Sequence, residues 1–272
     1  VESLWHGRIN GTLIASRRVG DRLYVVTRHV PEVMGFNYLS NSTSALAANR
    51  TLLSGTPLST MVPMLSINSA PAQPLIQTGN LFAPPLGMRA LAPDIFAVTA
   101  IALDRPAVTG SLGVMGIMDT VYASTKGLFL VGGSSIPRSS LPSLQTVEPP
   151  YYSDVHFIRF DNGGLSHAGT GTLEGYVDQK GNNTPLRLSE LNGQLRIVTS
   201  SSSMWNNQNR NRLTVLEPST VTPGLLRTVS FLPNESRPSP LGKPGELLFA
   251  TRFDGDKLYA VTFRRVDPLY VV

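Results

Sequence analysis

The side chains able to do acid–base or metal chemistry in this 272-residue chain are few and scattered. There are four histidines, His6, His29, His156 and His167, and none pair at metal-ligand spacing; His156 and His167 stand 11 residues apart. In a strand, Asp154 and His156 face the same side, the geometry a general acid–base pair or a metal would need. The competing expectation is structural: the aspartate accepts a hydrogen bond within its own sheet and the histidine packs beside it. That expectation is preferred here, and no metal site is expected. The chain has no cysteine, which removes disulfides, thiolate ligands and cysteine nucleophiles together.

Other motifs fall short of their chemistry. Residues 132–136 (GGSSI) lack the final glycine of a hydrolase nucleophile elbow. Residues 169–175 (GTGTLEG) place a glycine too late for a dinucleotide fingerprint and read as a loop or bulged strand. Residues 178–183 (DQKGNN) carry oxygen ligands but no bidentate acid at the spacing a calcium loop requires, so an ordinary turn is expected. Two carboxylates at the right separation could hydrolyse a glycoside. Yet Asp104, Asp161 and Glu217 each close a similar β-rich run, and an acid that recurs with a repeat has a structural role.

That repeat is the main organising feature. Residues 20–27 (GDRLYVVT), 126–132 (KGLFLVG), 192–199 (NGQLRIVT) and 255–262 (GDKLYAVT) share a glycine turn followed by a β-rich run. Asp or Asn beside Gly tolerates the positive φ of a tight hairpin. Both faces of each run are mostly apolar, so these read as strands buried on both sides. A second strand ending in an acid follows three of them (95–104, 154–161, 212–217), then a third with small residues (108–112, 165–173, 226–232). Gly127, Gly193 and Gly255 are spaced by 66 and 62 residues, a length that fits a propeller blade with long loops.

Gly20 and Gly127 are 107 apart, too far by about 40 on that repeat length. The excess lies in residues 31–94. There Asn41 or Ser42 can cap a helix near 42–53, with Ala45, Leu46, Ala48, Leu52 and Leu53 as its apolar positions and Gly55-Thr56-Pro57 ending it. Prolines 63, 71, 74, 84, 85 and 93 predict an irregular surface segment after it.

Composition supports a folded, all-β chain. Hydrophobic residues make up 41% and charged residues 15%, with 24 glycines and 21 prolines spread along the sequence. The net charge of +5 comes from dispersed arginines and points to a solvated basic exterior, not to a nucleic-acid partner. No apolar run is long enough to span a membrane. Five Asn-x-Ser/Thr sequons, at Asn10, Asn41, Asn49, Asn182 and Asn234, are near chance in a chain this rich in Asn, Ser and Thr.

Three stretches carry a family resemblance: residues 119–125 (DTVYAST), 188–199 (LSELNGQLRIVT) and 252–271 (RFDGDKLYAVTFRRVDPLYV). The last, with Val-Asp-Pro-Leu-Tyr-Val after a buried strand, is the most specific. The chain thereby resembles bacterial and archaeal secreted proteins with a β-propeller domain distantly related to WD-type repeats. The resemblance implies the fold and export from the cytoplasm. It implies no characterised activity and brings no catalytic residues.

The expected architecture is therefore an all-β propeller of antiparallel three- to four-stranded blades, with one short helix in an insertion. The expected blade parts are 8–30 with 95–116, 117–175, 176–235 and a truncated 236–272, with 31–94 as the insertion. Such a ring is incomplete within this chain, and further chain or other subunits are expected to complete it. The expected function is a non-enzymatic, secreted, periplasmic or cell-surface module that binds or scaffolds protein or polysaccharide through rim loops, with no cofactor. The candidate binding residues are Trp205, Asn206 and Asn207 in the polar loop 200–211, and Tyr38 and Phe82 in the insertion. The rivals are a propeller hydrolase or lactonase with a site at the ring centre, and a structural subunit of an extracellular assembly.

Overall fold

The computed structural model describes residues 5–135, 151–161, 164–177, 184–201, 210–243, 246–263 and 269–272. The strands follow the chain as β1 (Gly7–Ile9), β2 (Thr12–Val19), β3 (Arg22–His29), β4 (Met64–Ile67), β5 (Gln73–Pro74), β6 (Leu81–Phe82) and β7 (Arg89–Ala90). Then come β8 (Ile95–Ala102), β9 (Ala107–Met115), β10 (Ile117–Ala123), β11 (Gly127–Ser135), β12 (Tyr152–Asp161) and β13 (Gly164–Glu174). The last are β14 (Leu188–Leu191), β15 (Gln194–Ser201), β16 (Arg210–Pro218), β17 (Leu226–Leu232), β18 (Leu247–Asp254), β19 (Lys257–Phe263) and β20 (Leu269–Val271). The chain divides into two compact units, Val1–Ala83 with Ala92–Met115, and Pro84–Leu91 with Gly116–Val272.

In the first unit the main sheet has the order β2-β3-β8-β9-β6, antiparallel except for the short parallel pair β9–β6. Gly20 takes the positive φ (60°) that the β2–β3 hairpin needs. β3 buries Tyr24, Val26 and Thr27, and β8 is buried along nearly its whole length, as two apolar faces require.

The insertion of this unit is more ordered than its prolines predict. Helix α1 spans Thr43–Gly55, and Ser42 Oγ caps it by accepting from Ala45 N at 3.2 Å. A second, four-residue helix, α2 (Leu58–Met61), follows. β4 pairs with β1 and β5 in a three-stranded sheet. Val62, Leu65, Leu75 and Ile76 then bury against Ile95 and Ala97, so the proline-rich stretch contributes a core and is not merely surface. Prolines at 63 and 74 sit beside the pairing residues of β4 and at the end of β5, where a missing N–H costs little. The apolar positions of α1 remain outside: Leu46, Leu52 and Leu53 are exposed, and Asn49 is its buried residue.

The second unit holds three sheets, each built from consecutive strands: β10-β11-β12-β13, β14-β15-β16-β17 and β18-β19-β20. β7 adds to the first of these by pairing with β11. Asn192 and Gly193, with φ of 54° and 83°, turn β14 into β15, and Gly255 (φ 55°) turns β18 into β19. All four repeated segments are the second strand of their sheet: β3, β11, β15 and β19. Phe129 stacks on Phe157 at 4.3 Å between ring centroids, and this face packs on Leu188, Leu195, Ile197 and Leu216 of the next sheet. Val198 packs in turn on Leu248, Leu258 and Ala260. Burial of such side chains stabilises each by about 1.5–3 kcal/mol over exposure.

Candidate functional site

An open surface cleft of the second unit lies at one end of β15 and β16. Thr199 stands opposite Arg212, and Ser201 opposite Arg210. Strand alternation places these four on one face. Asn211, between the two arginines, points the other way and is buried. Its Nδ2 donates to the Leu241 carbonyl at 2.8 Å, while Ser200 Oγ donates to its Oδ1 at 2.8 Å. Arg187, also buried, donates to Ser200 Oγ at 3.1 Å and to the Leu248 carbonyl at 3.0 Å. This network fastens the 233–241 segment to the sheet, so Pro233, Pro240 and Leu241 wall an open cleft of about 330 Å³.

Among the described residues, the charges lining that cleft are Arg210 and Arg212 against the carboxylate of Glu174. Arg212 lies over the Phe231 ring, 4.6 Å from its centroid, and makes no ion pair among the described residues. Stacking on the ring face holds the guanidinium plane while leaving its edge donors for other partners, a contact worth about 0.5–1 kcal/mol at an exposed site.

The first unit has a second recess, of about 310 Å³, between α1 and residues 36–41. Asn49 builds it: Oδ1 accepts from Asn37 N at 2.8 Å and Nδ2 donates to the Asn37 carbonyl at 2.9 Å. Tyr38 lines this recess, 66% exposed, its ring 4.7 Å from that of Phe36. Buried Asn49 is thereby spent on structure. Phe82 is half-buried in β6 with Val114 as its register partner, and it does not line the recess. Trp205, Asn206 and Asn207 fall in 202–209, outside the described residues, as do residues 178–183. The residues flanking that loop, Ser201 and Arg210, both line the cleft of the second unit.

Asp154 and His156 do face the same side of β12, and both are buried, at 1% and 0% exposure. Asp154 Oδ1 accepts from Thr172 Oγ1 of β13 at 2.6 Å, the in-sheet bond expected of it. Burial raises its pKa. What spacing did not reveal is that the hairpin brings His167 to His156. Thr170 Oγ1 lies 2.8 Å from His156 Nδ1 and 2.9 Å from His167 Nε2, and the rings are 6.1 Å apart. One hydroxyl has one proton, so Thr170 donates to one ring and accepts from the other. Burial, and then the neighbouring His167, push the His156 pKa down to about 3; burial pushes that of His167 down to about 4. Both rings are neutral near pH 7. The signal for this pair was a hairpin closing near 162–163, which sets Ile158 opposite His167.

Among the described residues, no group of three or more His, Asp or Glu side chains is placed to hold a metal ion, and no helix is long and apolar enough to cross a membrane. Glu217 accepts from Gln194 Nε2 at 2.7 Å and pairs with Arg227; Asp161 lies 3.8 Å from Arg159. These repeat-position acids are engaged within their own sheets.

No curated protein matches the chain. A family model described as a β-propeller domain matches residues 3–272, in keeping with the succession of antiparallel sheets, and the chain belongs to that β-propeller family.

Proposed function

We propose that this chain is a non-enzymatic, extracytoplasmic binding or scaffolding module of bacterial or archaeal origin, engaging protein or polysaccharide through its loops. The observation that carries the proposal is a separation of roles. His156 and Asp154, the shifted pair that shares one face of β12, are sealed inside the β10–β13 sheet. The open recesses instead present Arg210, Arg212 and Ser201 in one unit and Tyr38 with α1 in the other. Recesses bordered by arginines and exposed aromatics, without an acid–base pair at hand, are built for recognition.

The test pairs binding with turnover. The immobilised chain is presented with a panel of envelope polysaccharides and surface proteins, and the same preparation is assayed against lactones and aryl glycosides. Saturable binding is expected, weakened at least tenfold by Tyr38→Ala with Leu46→Ser or by changes at the arginine cleft. Hydrolysis at enzymatic rates, abolished by His156→Ala, would instead favour a propeller hydrolase. Export is checked by fractionating cells that express the full gene; recovery in the cytoplasm alone contradicts the location.

A further inference from the structure

We infer that the Arg210–Arg212 cleft binds a polysaccharide bearing isolated carboxylates, a uronate-type chain, with Arg212 as its anchoring residue; this rests on the binding-module proposal and names its ligand class. Arg212 supplies the strongest reason. Its guanidinium is stacked on Phe231 at 4.6 Å and has no ion-pair partner among the described residues. A planar fork already held by a ring loses little freedom on gripping a carboxylate with two parallel N–H···O bonds. Ser201 adds a hydroxyl opposite Arg210, and Thr199 forms the floor opposite Arg212. Pro233 and Pro240 offer flat apolar walls to the C–H faces of a sugar ring.

Glu174 sets the charge density of the ligand. A carboxylate on the same cleft accepts hydrogen bonds from sugar hydroxyls but repels a second nearby anion. One acid per sugar ring fits this arrangement; a polyphosphate or a densely sulfated chain does not. An arginine pair can also take an acidic peptide. The sugar is preferred because the cleft lies on a sheet face, with no free strand edge among the described residues for a peptide backbone to pair with, and has proline walls for a sugar ring. Poly-glutamate serves as the competing ligand in the test. Its volume of about 330 Å³ is at the small end of ligand sites and suits a short stretch of a chain that continues into solvent.

Calorimetric titration of the intact chain with oligogalacturonate tests this. Binding is expected to weaken as salt rises from 50 to 500 mM, as exposed charge pairs do. Arg212→Ala is expected to lose at least tenfold in affinity, and Arg212→Lys at least threefold, since lysine keeps the charge but not the fork or the stack. Arg212→Gln serves as a second loss variant, and only variants with unchanged thermal midpoints are compared. Arg17→Ala, in the other unit, should match the unmodified chain. The carboxyl-reduced, neutral oligomer should not bind. Absence of binding by the unmodified chain, equal affinity of the Arg212 variants, or equally tight binding of poly-glutamate each overturns the inference. A neutral glycan or a protein bound with Arg212→Ala unaffected would overturn this inference while leaving the binding module standing.

Discussion

The hairpins β11–β12 and β15–β16 occupy the same place in successive sheets, yet one buries Asp154 where the other exposes Arg212. Aligning Leu128 with Leu195, and following each register, makes Ile158 equivalent to Leu216, His156 to Thr214, Asp154 to Arg212, and Gly132 to Thr199. The β3–β8 pair adds Thr99 at the His156 position. At that position all three sheets bury a polar atom without a hydrogen-bond partner among the described residues: Thr99 Oγ1, His156 Nε2 and Thr214 Oγ1. A feature shared by three sheets belongs to the architecture, so the odd histidine is a substitution into a structural slot. One row further along, the sheets diverge. β10 runs seven residues and covers this end of β11, whereas β14 runs four and its register stops at Leu188 opposite Ile197. Past that point Tyr176 takes the place of the first strand by pairing with Ser200, and Arg212 and Thr199 line a cleft. The cleft proposed for recognition lies beyond the end of the shorter strand.

The largest effect should come from giving Gly132 the side chain its counterpart Thr199 carries. A Cβ there would lie 1.7 Å from the Ile117 carbonyl oxygen, a backbone atom that cannot swing away. Gly132→Thr is expected to destabilise by about 4 kcal/mol or more, or to prevent folding, while Thr199→Gly should cost about 1 kcal/mol. Urea unfolding of both variants compares the two ends directly. If Gly132→Thr is tolerated, β10 does not close this end and the contrast fails.

Next in size is the shared slot. His156→Ala removes a fully buried ring and leaves Thr170 with one ring partner, at an expected cost of about 2–4 kcal/mol. His156→Thr, importing the residue of the other two sheets, should cost less than the alanine change. Equal losses would mean that the slot has no common chemistry.

Much of this framework was legible in the chain. The four glycine-led runs became the second strands because a turn residue and a two-faced apolar run leave a strand few alternatives. The partner strands 95–104, 154–161 and 212–217 followed by the same logic. The helix near 42–53 was legible from Ser42 and Pro57, but its environment was not: helical spacing alone could not tell that Asn49 turns inward to hold Asn37 and the leucines outward. The burial of Val62, Leu65, Leu75 and Ile76 was hidden because prolines announce local irregularity while core formation is decided by distant Ile95 and Ala97. The cleft was least legible. Arg212 and Phe231 lie on different strands, and only the register and the Asn211–Leu241 clasp bring the walls together.

Acid should act on the buried hairpin first. With folded-state pKa values of about 3 for His156 and about 4 for His167, the folded chain refuses protons that the unfolded chain accepts below its ordinary value of 6.5. Stability is therefore full above pH 6.5 and falls as pH drops toward 4, by about 1–3 kcal/mol in total once relaxation and the partial exposure of His167 are allowed for. Asp154, its pKa raised by burial, contributes with the opposite sign at the acidic end. In His156→Thr the slope between pH 6.5 and 4 should flatten. An unchanged slope would mean that His156 is solvated in the folded chain.

The smallest effect on stability is expected at the displayed end, where exchange of the two equivalent residues separates folding from recognition. Arg212→Asp places in the cleft the residue that its counterpart buries at position 154. The side chain is exposed and, among the described residues, contacts the Phe231 face alone, so the stability should change by no more than about 0.5–1 kcal/mol. The new carboxylate stands with Glu174 in one cleft and should abolish uronate binding. A loss of several kcal/mol in this variant would show that Arg212 supports the sheet as Asp154 does, and the two ends of the repeat would then differ in exposure but not in role.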